Sequence, residues 1–421
     1  MKPAITRILS SVLTSRWRRD LMRKRRRSGV PTIDYFHQID DPYSHLLVQL
    51  LEPLRARYGL RLRAHLVSPP DDANAPERER LRQFGLRDAR VLADGYGLDF
   101  PGQARLPSAE DAAAAAARLT PWRDDMDFPA KAFSVGDALW GSRPLPEGLD
   151  AVTDGVLAEG DALRRKLGHY LGGMIHFEGE WYWGVDRLNH LEERLSDLGF
   201  DSAPKGTPPL APYRGLRLAP FTPPAKPPVI EAWYSFRSPY SYIAIPRLRR
   251  LAEHYGADLR LRYILPMIMR GLPVPRAKTI YIMLDTKREA DRVGLPFGTM
   301  VEPVGAPIER TLAVLHHAVP MGLGAAFSER AFRAIFAEGI DLGSDKALYR
   351  VAADAGLSKA DVDAGLRDES WREAAEANRK ALFDAGLWGA PTYRVNGGEA
   401  HWGQDRLWAL ENDLLRAIAA G

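Results

Sequence analysis

The residues most capable of chemistry lie in one stretch, Ile230-Glu-Ala-Trp-Tyr-Ser-Phe-Arg-Ser-Pro-Tyr-Ser-Tyr-Ile-Ala-Ile245. A short apolar, aromatic run reads as a buried strand. It turns over 235–238 and becomes amphipathic through Tyr242, Ile245, Leu248 and Leu251. Ser238 before Pro239 is a helix-start signal, because the hydroxyl caps free backbone N–H groups and proline suits the first helical position. The strand therefore delivers a hydroxyl to a helix N-terminus, where the N–H groups and the helix dipole favour an anion. Taken alone, Ser238 reads more commonly as an ordinary helix cap.

Two further blocks stand far downstream: Gly386-Leu-Trp-Gly-Ala-Pro-Thr-Tyr393 and His401-Trp-Gly-Gln-Asp-Arg-Leu407. With Tyr234-Ser-Phe-Arg-Ser-Pro-Tyr-Ser-Tyr-Ile-Ala244 they resemble, in order and spacing, the 2-hydroxychromene-2-carboxylate isomerase and kappa-class glutathione transferase group. That group lies within the DsbA-like thioredoxin superfamily, and the resemblance covers about 228–421. It implies glutathione as cofactor, with Ser238 stabilising the thiolate in the place where redox members carry cysteine. It also implies that Ala390 precedes a cis Pro391 and pairs with the cysteinyl amide. Gln404 and Asp405 would then hold the γ-glutamyl end, and Lys278 a carboxylate of glutathione or substrate. Asp405 reads otherwise as a helix cap, Lys278 as an exposed lysine, and Arg406 as a surface or ion-pair residue. Gly271-Leu-Pro-Val-Pro275 departs from the group, which usually carries Gly-Asn there, and this bears on the substrate more than on glutathione.

The implied function is a glutathione-dependent isomerase or transferase acting on a small aromatic or hydrophobic electrophile. Trp233, Phe236 and Tyr240 are candidate pocket walls, although core packing is the default for each. The alternative is a non-catalytic tandem scaffold or binding protein. Zero cysteines exclude a disulfide oxidoreductase, a thiol nucleophile and a zinc–thiolate site. No metal is expected, since His316 and His317 are adjacent on a predicted helix and point in different directions.

The elements that must position these residues form an α/β plan. From 228 the order is β-α-β, a helical block, then β-β-α, a thioredoxin fold split by a helical insertion. A second strand is expected over Asp258–Leu265, and helices over 308–319, 327–338, 345–355 and 369–385. A hairpin turns over Asn396-Gly397-Gly398, and a helix closes the chain over Leu407–Ile418. Residues 31–200 repeat the plan in outline, and the predicted fold is two tandem DsbA-like thioredoxin domains. Ile33-Asp-Tyr-Phe-His-Gln-Ile-Asp-Asp-Pro-Tyr-Ser-His-Leu46 echoes the opening, and Gly179-Glu-Trp-Tyr-Trp-Gly-Val-Asp-Arg-Leu188 the close. Helical segments at 108–119 and 149–167 fit an insertion in this copy too.

The first copy is expected to be degenerate. Asp41 stands for Ser238, and Gly172-Gly-Met-Ile175 offers no proline. His37, Gln38, Asp40, Asp41 and His45 make a polar cluster that could support some other chemistry, although helix capping and solvent-facing polar side chains are the commoner reading. Residues 201–227 are proline-dense and read as a linker between the two domains.

Charge is unevenly spread. Residues 1–30 hold ten Lys/Arg against one Asp, so they carry +9 of a formal +4, and the remaining 391 residues net −5. With Ile5, Ile8, Leu9, Val12, Leu13 and Trp17 at helical spacing, this arm reads as a basic amphipathic helix. It would lie on an anionic membrane, dock on a partner protein, or pack on its own domain. Nucleic acid is not an expected partner, because nothing downstream offers a basic reading surface. No run approaches a bilayer span and no secretory signal is evident, so the expectation is a cytoplasmic protein, peripheral to a membrane at most through its arm. Homo-oligomerisation and an intramolecular pseudo-dimer of the two domains both remain open at this point.

Overall fold

The computed structural model describes residues 30–148 and 155–420. The basic arm therefore lies outside the described residues, except for Val30. The chain divides into two units, one running through Tyr213 and including Pro275–Tyr281, the other made of Arg214–Val274 and the chain from Ile282 onward.

In the first unit, β1 (Thr32–His37) leads into α1 (Pro42–Tyr58) and β2 (Arg61–Leu66). The helices α2 (Arg78–Tyr96), α3 (Ala109–Leu119), α4 (Phe128–Trp140) and α5 (Val156–Lys166) come next. The hairpin β3 (Met174–Phe177) and β4 (Glu180–Trp183) and the helix α6 (Leu188–Asp197) complete it. The sheet order is β2-β1-β3-β4, with β1 parallel to β2 and antiparallel to β3.

The second unit has the same sequence of elements at its two ends. Its β5 (Val229–Tyr234), α7 (Pro239–Tyr255) and β6 (Asp258–Tyr263) have the lengths of β1, α1 and β2: six, seventeen and six residues. The helix α8 (Arg276–Arg292) begins among the residues grouped with the first unit and ends in the second. The helical block continues through α9 (Ala306–Ala318), α10 (Gly324–Arg333), α11 (Asp345–Asp354), α12 (Lys359–Arg367) and α13 (Trp371–Asp384). Then β7 (Thr392–Val395), β8 (His401–Trp402) and α14 (Leu407–Ala420) close the chain. The sheet order is β6-β5-β7-β8, again with one parallel and two antiparallel pairings.

Both strands that open a unit are central, with neighbours on each edge, which is why they are buried nearly throughout, Asp34, His37 and Glu231 included. Tyr242, Ile245, Leu248 and Leu251 all lie buried along one stripe of α7 and join the second unit's core with Phe327, Phe332 and Leu410. Fully burying each such side chain contributes about 1.5–3 kcal/mol.

One buried device recurs in each half. Glu411 on α14 accepts from Arg217 N (2.8 Å), Leu218 N (2.6 Å) and the Tyr255 hydroxyl (2.8 Å). Glu192 on α6 accepts from Leu210 N (2.8 Å), Ala211 N (3.1 Å) and the Tyr58 hydroxyl (3.2 Å). Tyr58 and Tyr255 are each the last residue of their helix, α1 and α7. Within its own unit, each carboxylate satisfies two consecutive backbone donors of the proline-rich segment. Among the described residues no helix is long and apolar enough to cross a membrane.

Candidate active site

The corner between β5 and α7 is a tight turn in which Ser238 N donates to Ser235 O at 2.8 Å. Ser238 has extended backbone angles (φ −90°, ψ 111°), and its Oγ accepts from Ser241 N at 3.1 Å, capping α7 with Pro239 in its first turn. The same hydroxyl donates to the Ala390 carbonyl at 3.1 Å. Ser238 is thus engaged in both directions, as acceptor to its own helix and as donor to the strand opposite.

The Ala390–Pro391 bond is cis. Around it the chain is packed tightly: a Cβ added to Gly389 would lie 2.3 Å from the Trp402 ring, so only glycine fits there. Arg270 donates to Trp388 O at 3.2 Å from the turn that follows β6. Pro391 O accepts from Gly403 N at 3.0 Å, and Gly403 O from the Tyr393 hydroxyl. These bonds join the Ala390–Pro391 strand to the turn that carries Gln404 and Asp405. Ser238, Ala390, Pro391, Gln404 and Asp405 therefore form one continuous constellation.

The two acid-binding candidates differ in what they offer. Gln404 is buried: its Nε2 donates to Glu289 at 2.5 Å and its Oε1 accepts from Arg247 at 2.7 Å. Its side chain is committed to the protein, and its backbone carbonyl also accepts from Arg247, at 3.1 Å. The Asp405 carboxylate folds back towards Gly403, whose Cβ, if it had one, would sit 2.5 Å from Oδ1. It pairs at 3.5 Å with Arg406, which is buried and not on the surface. Lys278 lies elsewhere. Its ammonium donates to Asn74 O at 3.1 Å within the first unit, and burial lowers its pKa.

Three features of this region were absent from the sequence reading. Arg237, beside Ser238, forms a two-pronged ion pair with Glu302 (3.0 Å and 3.0 Å). Tyr240 donates to the buried Asp285 at 2.7 Å, and Glu289 holds Gln404 as above. Asp285 and Glu289 are four residues apart on α8, so they share a face, a spacing legible in sequence but ordinary on any helix. His316 bonds Tyr263 and Ser370, whereas His317 faces Asp361 at 3.7 Å, so the two rings point to different partners. Among the described residues no cluster of three or more His, Asp or Glu is arranged to hold a metal ion.

The corresponding corner of the first unit is built differently. Asp41 caps α1, its Oδ2 accepting from Ser44 N (2.9 Å) and Ser44 Oγ (2.8 Å). Desolvation raises its pKa to about 7 despite those bonds. Gly172 and Gly173 press directly on the corner, where a Cβ on Gly172 would meet Gln38 Cβ at 2.3 Å and one on Gly173 would meet Asp41 Oδ2 at 2.9 Å. His37 and His45 are buried rather than surface residues, and desolvation holds them neutral, with pKa values near 3 and 4. His45 stacks on Phe133 (centroids 5.3 Å apart, 8° between planes), and neither ring nitrogen has a hydrogen-bond partner.

Comparison with known proteins bears on the second unit. Residues 229–415 match the DSBA-like thioredoxin domain. The C-terminal half carries a DsbA-like thioredoxin domain. A 2-hydroxychromene-2-carboxylate isomerase of Pseudomonas putida is 29% identical over 198 residues, which is 45% of this chain and 95% of the relative. The enzyme of the same name from Pseudomonas sp. (strain C18) is 27% identical over 204 residues, 46% of this chain and 93% of the relative. A solved structure of a 2-hydroxychromene-2-carboxylate isomerase aligns with 25% identity and a TM-score of 0.39, over 46% of this chain and 97% of that one. Nearly the whole length of each relative thus falls within about half of this chain.

Proposed function

We propose that the second unit is a glutathione-dependent isomerase or transferase for a small aromatic or hydrophobic electrophile. The observation that carries this reading is the double engagement of Ser238, whose hydroxyl spans the α7 N-terminus and the Ala390 carbonyl. A peptide thiol laid along the Ala390–Pro391 strand would offer its cysteinyl N–H to that carbonyl. The Ser238 proton, displaced from Ala390 O, would then be free to turn to the sulfur. A hydroxyl donor beside a helix N-terminus stabilises thiolate over thiol and lowers the thiol pKa. Asp405, with the Gln404 backbone, would receive the γ-glutamyl end.

Isomerase-named relatives that align over nearly their full length support the chemistry. In it the thiolate adds to the β-carbon of a conjugated carbonyl, and the π electrons move to the carbonyl oxygen. The former double bond rotates as a single bond, and collapse of the enolate expels the thiolate unchanged. The protein's part is to hold the sulfur ionised and place the electrophile beside it. Lys278 is left out of this scheme because its ammonium is committed to Asn74. A reducing cytoplasm is the setting such a site requires.

The first unit we read as a degenerate second copy of the same domain. The equal element lengths and sheet order support this, as does the shared Glu–Tyr bracket. Its corner carries a carboxylate crowded by Gly172 and Gly173, which leaves no place for a thiolate, so its role would be structural or partner-binding.

The test is a calorimetric titration of glutathione, with thiolate absorbance followed in parallel, into the wild type, Ser238→Ala and Asp405→Ala. Saturable binding, lost in Asp405→Ala, with thiolate absorbance lost in Ser238→Ala, is expected. No heat and no thermal shift at millimolar glutathione would refute the reading and favour a tandem scaffold.

A further inference from the structure

The second unit buries a charged network around its candidate site. Asp285 and Glu289 lie one turn apart on α8, and both are almost wholly buried. Asp285 accepts from the Tyr240 hydroxyl at 2.7 Å and from Arg288 at 2.9 Å. Glu289 accepts from Gln404 Nε2 at 2.5 Å, while Arg247 reaches Gln404 twice, at Oε1 (2.7 Å) and at the backbone carbonyl (3.1 Å). Tyr240 is two residues beyond Ser238, and Gln404 immediately precedes Asp405. One helix therefore grips the two halves of the constellation with separate carboxylates.

Burying carboxylates is expensive, and apolar packing would join the same elements at lower cost. What an apolar contact cannot do is fix the rotation of an amide side chain and the peptide plane behind it. We propose that Glu289 is a positioning residue. By clamping Gln404 against Arg247 it aims the Gln404–Asp405 turn at the γ-glutamyl end of glutathione, and it has no part in ionising the thiol. This rests on the glutathione reading above. It deepens that reading by dividing the site in two: one half recognises the γ-glutamyl group through Glu289, the other activates sulfur through Ser238.

The division has a readout that a merely structural role would not move. Glutathione and cysteinylglycine share the thiol and the glycine, but only glutathione carries the γ-glutamyl group. In Glu289→Leu, glutathione affinity should fall about tenfold, the scale of one lost buried hydrogen bond to a charged group. Cysteinylglycine affinity and the pKa of the bound thiol should be unchanged. Glu289→Gln keeps an acceptor for Gln404 and should restore glutathione affinity. Should Glu289→Leu fail to fold, Arg247→Leu, at a half-buried position, removes the other side of the clamp and should show the same selective loss. Equal loss for both thiols, or no loss for either, would overturn the inference while leaving the glutathione reading standing. A wild-type protein that binds neither thiol would sink both.

Discussion

Replacing His45 by leucine should make the first unit less sensitive to acid, by an amount the structure sets. His45 is buried against Phe133, with Gly136 closing on its ring edge, where a Cβ would fall 2.5 Å from Nδ1. Desolvation takes its pKa down to about 4, partly opposed by the negative charge of Asp137. In the unfolded chain the value is about 6.5. Below pH 6.5 the unfolded chain binds a proton that the folded unit refuses, so stability falls as pH falls, and this loss stops growing below about pH 4. Each pH unit between those limits costs about 1.4 kcal/mol, or about 3 kcal/mol in all. His37 shifts the same way, to about 3, whereas the raised pKa values of Asp41 and Glu192 act with the opposite sign. A wild-type curve alone would therefore mix four groups. The difference between wild type and His45→Leu isolates one, because in the folded unit His37 and His45 are both neutral until the pH nears 4. Urea-dependent hydrogen exchange on peptides of the first unit, read from pH 4 to 7, gives the stability of that unit separately. The variant should gain on the wild type by about 1.4 kcal/mol for each unit of acidification below pH 6.5. Any packing change from leucine adds only a constant offset. Parallel curves would refute the buried, neutral imidazole.

Glu411→Ala strands three donors and should destabilise the second unit by about 3–5 kcal/mol, whereas Tyr255→Phe, which removes one, should cost about 1–2 kcal/mol. Denaturant titration of the two variants measures both. Gly160→Ala should destabilise by at least about 2 kcal/mol, although alanine usually stabilises a helix interior relative to glycine. The new Cβ would fall 2.1 Å from the Leu66 carbonyl oxygen, and a thermal melt reads the sign. Ser238→Ala should keep the fold, cost about 1 kcal/mol through the lost cap of α7, and abolish the thiolate absorbance of bound glutathione, measured by difference spectroscopy.

The local grammar of the second unit is legible in the chain because its signals are local. Ser-Pro after an apolar run marks the start of α7, Asn-Gly-Gly marks the turn between β7 and β8, and four of the predicted helices fall within a few residues of α9, α10, α11 and α13. The misses have physical causes. The helix α12 is short and opens with a Ser358–Asp361 capping box, which was passed over inside a longer polar stretch. In the first unit neither α2 nor α4 opens on a side-chain cap, so the start of each lacks the signal that marks α7. At the site, Ser238 and Ala390 are found together as the motifs imply, at 3.1 Å. That Gln404 turns inward is invisible in sequence, because its partners Glu289 and Arg247 come from two helices distant along the chain.

The contrast between the two corners turns on what a capping side chain can give away. Both Asp41 and Ser238 accept from the third residue of their helix, so for helix stability they are near equivalents. A serine keeps a proton with which to donate to something else, and Ser238 spends it on a carbonyl of the facing strand, a bond that an incoming peptide N–H can replace one for one. A carboxyl loses such a proton on ionising, which for Asp41 comes only at about pH 7 and above. Asp41 uses its oxygen twice on Ser44, backbone and hydroxyl, within its own first turn. The segment facing it, Gly172–Gly173 just ahead of β3, approaches so closely that no side chain fits between. One corner thus holds a hydrogen bond across to Ala390, the bond that the proposed ligand would exchange, and the other is closed on itself. On the duplication and glutathione readings proposed above, losing that bond would be enough to convert an active corner into a structural one without disturbing the cap, the sheet order or the Glu–Tyr bracket.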